Sequence, residues 1–300
     1  MRHIIPISGK DSLATAIVQA KREPEKDYEF IYNDTAMELP ETYAWLDDVE
    51  HRLQKKIIRI GKSLRDVIYE QGILPSPRMR FCTKYSKIFP MKDYVGKQEA
   101  TLYIGLRADE DRAGFQPTKG MSVRYPLQEC GMKLKDVYTV VEHFGLMPPN
   151  FFWQRVYDAV MVEIGNLGAL VKEMPRMIFD RAFAWRSRPN CFMCFYQRRY
   201  EWVGLLEHHP DLFAQAEFME NDKNLGDRNL DGKQGQEPYY WIAKDMPLAR
   251  IREHSDVIVK SRVDALSTMI RNRAQTLLFT DAMLDELDMA QKSCGLFCGK

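Results

Sequence analysis

Three groups of residues in this 300-residue chain have the types and spacing to do chemistry. The first is Ser8-Gly9-Lys10-Asp11-Ser12, which follows the apolar run Ile4-Ile5-Pro6-Ile7 and precedes Leu13, Ala16, Ile17 and Ala20 at helical spacing. Between a strand and a helix such a loop suits an anion. Glycine lets the backbone approach, the N–H groups of the helix start point outward, two hydroxyls can donate and Lys10 carries a point charge. Asp11 would repel phosphate unless it holds a cation such as Mg²⁺ or caps the helix. A well-capped helix after an edge turn is the plainer reading of the same spacing. The second group is cysteine. Cys191-x-x-Cys194 and Cys294-x-x-x-Cys298 can together supply four thiolates, enough for zinc or for a 4Fe-4S cluster, while free buried or redox-active thiols are the alternative. The third is a bunch of cations, Arg80, Lys84, Lys87, Arg107 and Arg112, within about thirty residues. In a chain whose net charge is only +1, an anionic ligand explains that bunching better than a solvated basic face.

The elements that would position these groups can be read from periodicity. Tyr28–Tyr32, Lys56–Ile60 and Thr101–Gly105 join Ile4–Ile7 as strand candidates, and Pro40 suits the first turn of a helix running through Tyr43, Leu46 and Val49. Alternating strands and helices imply parallel strands joined by crossovers, hence an α/β fold with an open, mostly parallel, Rossmann-like sheet flanked by helices. From about residue 150 the texture changes. The stretches 151–185, 197–220 and 263–290 read as helical, and the polar 221–236 as a long loop, giving a nucleotide-binding domain over 1–150 and a mainly helical region with the cysteine motif over 151–300.

Composition bounds the class. Hydrophobic residues make up 45% and aromatics 11%, which supports a packed core and excludes disorder as the dominant state. No stretch approaches the length of a membrane span, Met1-Arg2-His3 does not open a signal peptide, and six scattered cysteines do not form a disulfide framework, so a cytoplasmic location is expected. Arg186, Arg188, Arg198 and Arg199 flank the C-x-x-C with aromatics between them, as a nucleic-acid patch or a salt-bridged surface would. His208 and His209 read as an ordinary helix end, and Trp153, Trp185 and Trp241 as core or interface residues.

Ile7-Ser8-Gly9-Lys10-Asp11-Ser12 resembles the Ser-Gly-Gly-x-Asp-Ser PP-loop of the adenine nucleotide α-hydrolase (HUP-type) superfamily, with Ile7 and Ser8 in place of Ser and Gly. Four further segments, in order, resemble the phosphoadenosine phosphosulfate (PAPS) reductase branch. They are Asp34-Thr35 with Pro40-Glu41-Thr42; Arg80-Phe81-Cys82-Thr83 with Lys87 and Pro90; Gly105-Leu106-Arg107 with Glu110 and Arg112; and Tyr125-Pro126-Leu127 with Lys135-Asp136-Val137. The resemblance covers roughly residues 4–150. It implies an adenine-nucleotide site built from Ser8, Gly9, Lys10, Asp11, Ser12, Asp34, Arg80, Lys87, Gly105, Arg107 and Arg112, with Lys10, Asp11 and Cys82 in catalysis. Lys10 and Asp11 further imply ATP, cleaved between its α and β phosphates with Mg²⁺ to activate an acceptor for sulfur transfer or nucleic-acid modification.

Ser293-Cys294-Gly295 is similar to the tail that carries the nucleophilic cysteine of PAPS reductases, which leaves true PAPS reduction through Cys294 as an alternative. A non-catalytic accessory subunit that binds nucleotide or nucleic acid is another. The resemblance also admits Cys82 as a cluster ligand beside Cys191, Cys194 and a tail cysteine. A nucleic-acid or protein-complex partner and a homo-oligomer both remain open.

Overall fold

The computed structural model describes residues 1–111, 113–117, 119–148, 185–186, 189–225 and 239–274, with side chains through 265. Five strands, β1 (Arg2–Pro6), β2 (Tyr28–Asn33), β3 (Ile57–Ile60), β4 (Ala100–Tyr103) and β5 (Met121–Arg124), form one sheet in the order β3-β2-β1-β4-β5. Every pairing is parallel. Strand order reverses direction at β1, so a crevice opens beyond the C-terminal ends of β1 and β4, where open α/β sheets bind ligands.

The pleat sorts the apolar residues. Ile5 points into a core with α1 (Lys10–Arg22), α2 (Pro40–Leu53) and α6 (Leu134–His143), while Ile4, Ile31 and Leu102 face Met91 and Val95 on the other side. Pro40 opens α2 as expected, its missing N–H costing nothing in the first turn. The opposite layer is α4, three pieces that run on as one helical stretch: Phe81–Thr83, the π-turn Lys84–Ile88 and Phe89–Val95. Between β3 and α4 lies α3 (Leu64–Gln71), capped by the Ser63 hydroxyl.

β5 was not expected from the sequence. Met121–Arg124 has no buried apolar run, being a short edge strand. It is held by charge: Arg124 donates to Glu23 at 2.9 Å and to Glu129, in α5 (Pro126–Glu129), at 2.6 Å.

The C-terminal half is helical where described, with α7 (Arg199–His208), α8 (Pro210–Glu220), α9 (Leu248–Glu253) and α10 (Ser255–Ala274). The stretch 197–220 expected to be helical holds two helices, because Pro210 starts a new helix after the break at His209. α10 begins before the expected residue 263; the expected helices over 151–184 and 275–290 lie outside the described residues. One apolar cluster joins Met37, Leu39, Leu64 and Ile68 to Trp202, Phe213, Trp241 and Leu248, so the two halves share a core. Among the described residues no helix is long and apolar enough to cross a membrane.

One backbone position depends on glycine. Gly61 ends β3 at φ +134°, and a Cβ there would lie 2.1 Å from the Asp34 carbonyl oxygen. Gly61→Ala is expected to destabilise the chain by at least about 3 kcal/mol in denaturant unfolding, by strain and by forcing the β2 and β3 ends apart.

Candidate functional site

The loop after β1 is built around Ser12. Its Oγ accepts the N–H groups of Ser8 (2.8 Å) and Gly9 (3.0 Å) and donates to the Gly9 carbonyl (2.9 Å), which fixes the start of α1. The N–H groups of the next residues have no intrahelical partner by the geometry of any helix start, and they open toward the crevice. Gly105, just after β4, is pressed against this start: a Cβ there would lie 2.7 Å from the Asp11 carbonyl carbon and the Ser12 nitrogen. The loops after β1 and β4 therefore meet.

Asp11 joins them chemically. Its Oδ2 accepts from Lys10 Nζ at 3.1 Å and its Oδ1 from Arg107 Nη1 at 3.0 Å. Both cations are only 3% exposed. Arg107 is further held by Asp109 (3.0 Å), while Glu110 accepts the Arg107 backbone N–H at 3.0 Å. Lys10 lies 5.7 Å from the centre of the Tyr138 ring. Burial pushes the Asp11 carboxyl up, but Lys10 and Arg107 outweigh it and hold the group below its ordinary value. The cations that Asp11 meets in this arrangement are the protein's own, Lys10 and Arg107.

Asp34, at the end of β2, accepts from the Tyr43 hydroxyl at 2.9 Å and from the Ala36 N–H at 2.8 Å. Thr35 donates to Glu38 at 2.8 Å. Glu38 was not singled out in the sequence. It is 6% exposed, and burial raises its carboxyl pKa against the opposing pull of Lys87.

The remaining cations do not gather at this crevice. Arg80 lies over the Tyr196 ring at 5.7 Å, Lys84 over Tyr85 and Phe89, and Lys87 lines a separate cavity. Arg112 lies outside the described residues. The bunch seen in sequence is therefore divided, Arg107 joining Lys10 at the crevice and Lys87 lining the cysteine cavity.

That cavity holds about 400 Å³ of empty space counting its mouth, and Cys82, Cys191 and Cys194 all line it. The Cys191 loop docks on the N-terminal half through Phe192 N–H to Met37 O (2.8 Å). Arg186 braces it from within, 1% exposed, donating to the Asn190 and Cys191 carbonyls, the Asn190 amide oxygen and Gln197. Arg186 belongs to the interior, which removes it from the surface arginine patch; Arg188 lies outside the described residues. The Cys191 S–H, hydrogen-bonded to Cys194 and buried, is held well above the usual thiol range, and burial with Cys191 nearby raises Cys82. Both effects disfavour the thiolate, the reactive form of a cysteine. Among the described residues no three His, Cys, Asp or Glu side chains form a ready group for a single metal ion. Cys294 and Cys298, the other half of the expected four-cysteine set, lie outside the described residues.

The remaining singled-out residues behave structurally. Trp241 is buried and donates to Ala216 O, Trp185 stacks on His208, and His209 pairs with Glu41 at 2.8 Å. Trp153 lies outside the described residues.

A parallel sheet with its loops meeting at the β1/β4 switch point agrees with the comparison to known proteins. A family model for the phosphoadenosine phosphosulfate reductase domain matches residues 2–121. Residues 2–121 of this chain are thus similar to the PAPS reductase domain. The match takes in β1 through the start of β5, and with it the Ser8–Ser12 loop, the Asp34 segment, Cys82 and Arg107. An uncharacterized protein of Methanocaldococcus jannaschii is 33% identical over 106 residues, 34% of this chain and 22% of that protein. The chain thus spans about a fifth of the length of this curated relative. The matched segment carries the crevice and one wall of the cysteine cavity.

Because the Asp11 carboxyl is held low, its contribution to stability is full at neutral pH and is lost as pH falls through its ordinary 3.8 and below. Asp11→Asn is expected to cost about 3 kcal/mol at pH 7, by leaving two buried cations on a neutral amide. In urea unfolding the gap between variant and parent should close toward pH 3; a gap independent of pH would exclude the ion pairs as its source.

Proposed function

We propose that this PAPS reductase family domain binds ATP at the β1/β4 crevice and cleaves it between the α and β phosphates. The observation that carries the reading is the buried pair Lys10 and Arg107 on Asp11, at the loop that starts α1. An acceptor oxygen attacks the α-phosphorus, the Pα–O–Pβ bond breaks and pyrophosphate leaves, giving an adenylated acceptor. A sulfur or nitrogen nucleophile then displaces AMP. The helix-start N–H groups and the two cations stabilise charge that develops on the phosphate oxygens. Lys10 and Arg107 are positioned in advance by Asp11, Asp109 and Glu110, so they need no reorganisation at the moment of reaction. Magnesium would arrive on the nucleotide's own phosphates, where it neutralises charge on the leaving pyrophosphate. Sulfur transfer or nucleic-acid modification is the purpose that fits an activated acceptor.

The cysteine cavity would hold an iron–sulfur cluster. Three thiols from two separate segments around one cavity, with Lys87 beside them, fit a polynuclear group whose ligands bind different irons. Cys82, Cys191 and Cys194 would be ligands, with a tail cysteine available as the fourth. The cluster supplies redox capacity or a docking point for sulfur; the chain's part is to bury the thiols and to keep their loop fixed through Arg186.

Calorimetric binding of Mg-ATP and of PAPS to anaerobically purified protein tests the first claim. Mg-ATP is expected to bind, and Lys10→Ala to weaken it by about tenfold or more while the variant keeps a cooperative melt. Preference for PAPS would overturn the ATP reading in favour of reduction, and binding of neither would leave an accessory role. For the cavity, anaerobic protein is expected to be brown, with absorption at about 400 nm that chelators or oxygen bleach and that Cys191→Ala removes. A colourless preparation with stoichiometric zinc would reject the cluster.

A further inference from the structure

The cysteine cavity carries two polar groups that the fold itself does not use. Ser86 is completely buried on the π-turn, lines the cavity, and its Oγ has no hydrogen-bond partner. Serine in a helix usually returns its hydroxyl to the carbonyl four residues back. The π-turn displaces that ladder, with Phe89 N–H reaching Lys84 O, five residues back. Asn190, 4% exposed, lines the facing wall. Its Oδ1 accepts from Arg186 at 2.9 Å, and a guanidinium can only donate, so the orientation of the amide is fixed. The Nδ2 group is the end left over, and it has no partner.

Each buried donor left unpaired costs about 1–3 kcal/mol, and folded proteins contain few. Here two occur on one cavity, the Asn190 Nδ2 group, which can only donate, and the Ser86 hydroxyl, which can turn its proton to an acceptor, beside Lys87 and three thiols. The occupant that would satisfy them is anionic, compact and rich in weak acceptors.

We propose that Ser86 and Asn190 are positioning residues that donate hydrogen bonds to the sulfur atoms of an iron–sulfur group in this cavity, and that they raise its reduction potential. The inference rests on the reading of the cavity as a cluster site. Its physical basis is that reduction adds negative charge to the cluster, and donors aimed at sulfur stabilise the more negative state.

The test uses the full chain, reconstituted anaerobically with iron and sulfide, and compares the parent with Ser86→Ala, Ser86→Thr and Asn190→Asp. Asn190→Asp keeps an acceptor for Arg186 and removes the donor. The variants should take up iron and sulfide as the parent does. Ser86→Ala is expected to be about tenfold harder to reduce, a downward shift of about 59 mV for one electron, and Ser86→Thr to restore the parent value. Asn190→Asp should shift at least as far in the same direction. Potentials equal to the parent's in loaded Ser86→Ala and Asn190→Asp would overturn the proposal.

Thermal unfolding of the cluster-free protein separates a ligand role from a structural one. Ser86→Ala should melt no lower than the parent there, since no protein hydrogen bond is lost. A lower melting temperature would show that the hydroxyl serves the fold, and would also overturn the proposal. Parent protein that takes up no iron and sulfide, and shows no absorption at about 400 nm, would reject the cluster reading itself and this inference with it.

Discussion

One carboxylate ties the N-terminal half together. Asp11 stands at the head of α1, and Lys10 and Arg107 are both buried against it. Two such cations could not remain inside the protein without a partner, because desolvation would exceed anything the surrounding packing returns. The consequence is geometric. The β1 loop and the β4 loop must stay in contact, Gly105 must be small enough to allow it, and Asp109 and Glu110 must turn back onto Arg107. The switch point of the sheet is thereby locked as a charged ledge instead of a loose crevice, which suits a ligand whose charge is spread over a chain of phosphates.

The cysteine side is organised by a different rule. There the interior is apolar, built from Met37, Leu39 and Leu64 on one side and Trp202, Phe213 and Trp241 on the other. The polar groups that brace the cysteine loop are paired within the protein. Arg186 spends its donors on the Asn190 and Cys191 loop, and Gln197 returns a bond to the Phe192 carbonyl at 2.6 Å. The segment Asn33–Glu38 lies between the two regions: Asp34 and Tyr43 border the β2 end, Thr35 lines the cysteine cavity, and Met37 receives the Phe192 N–H.

Much of the N-terminal half was legible in the sequence because its signals are local. Three strands, β1, β2 and β4, are largely buried and read as short apolar runs, and Pro40 and the Ser8–Ser12 loop announce helix starts. β5 was not legible, since an edge strand held by Arg124 ion pairs has no apolar periodicity to detect. The π-turn was not legible either: Lys84–Ile88 differs from an α-helix by one residue in the ladder, and no composition marks it. The break at His209 could have been read from Pro210 alone.

The sequence by itself determined the fold class and the chemical vocabulary: parallel strands, a loop rich in anion-binding groups, and a pair of closely spaced cysteines. It did so because strand and helix periods and turn residues act over a few positions. Only the tertiary structure decided which of those groups meet. It set Arg107 on Asp11 across 96 residues, moved Lys87 and Cys82 to the wall shared with Cys191 and Cys194, buried Arg186, and left Ser86 and Asn190 facing one cavity. Those pairings follow from how the sheet orders its crossovers and how two halves close on one core. Contacts made across that distance leave no trace in local spacing.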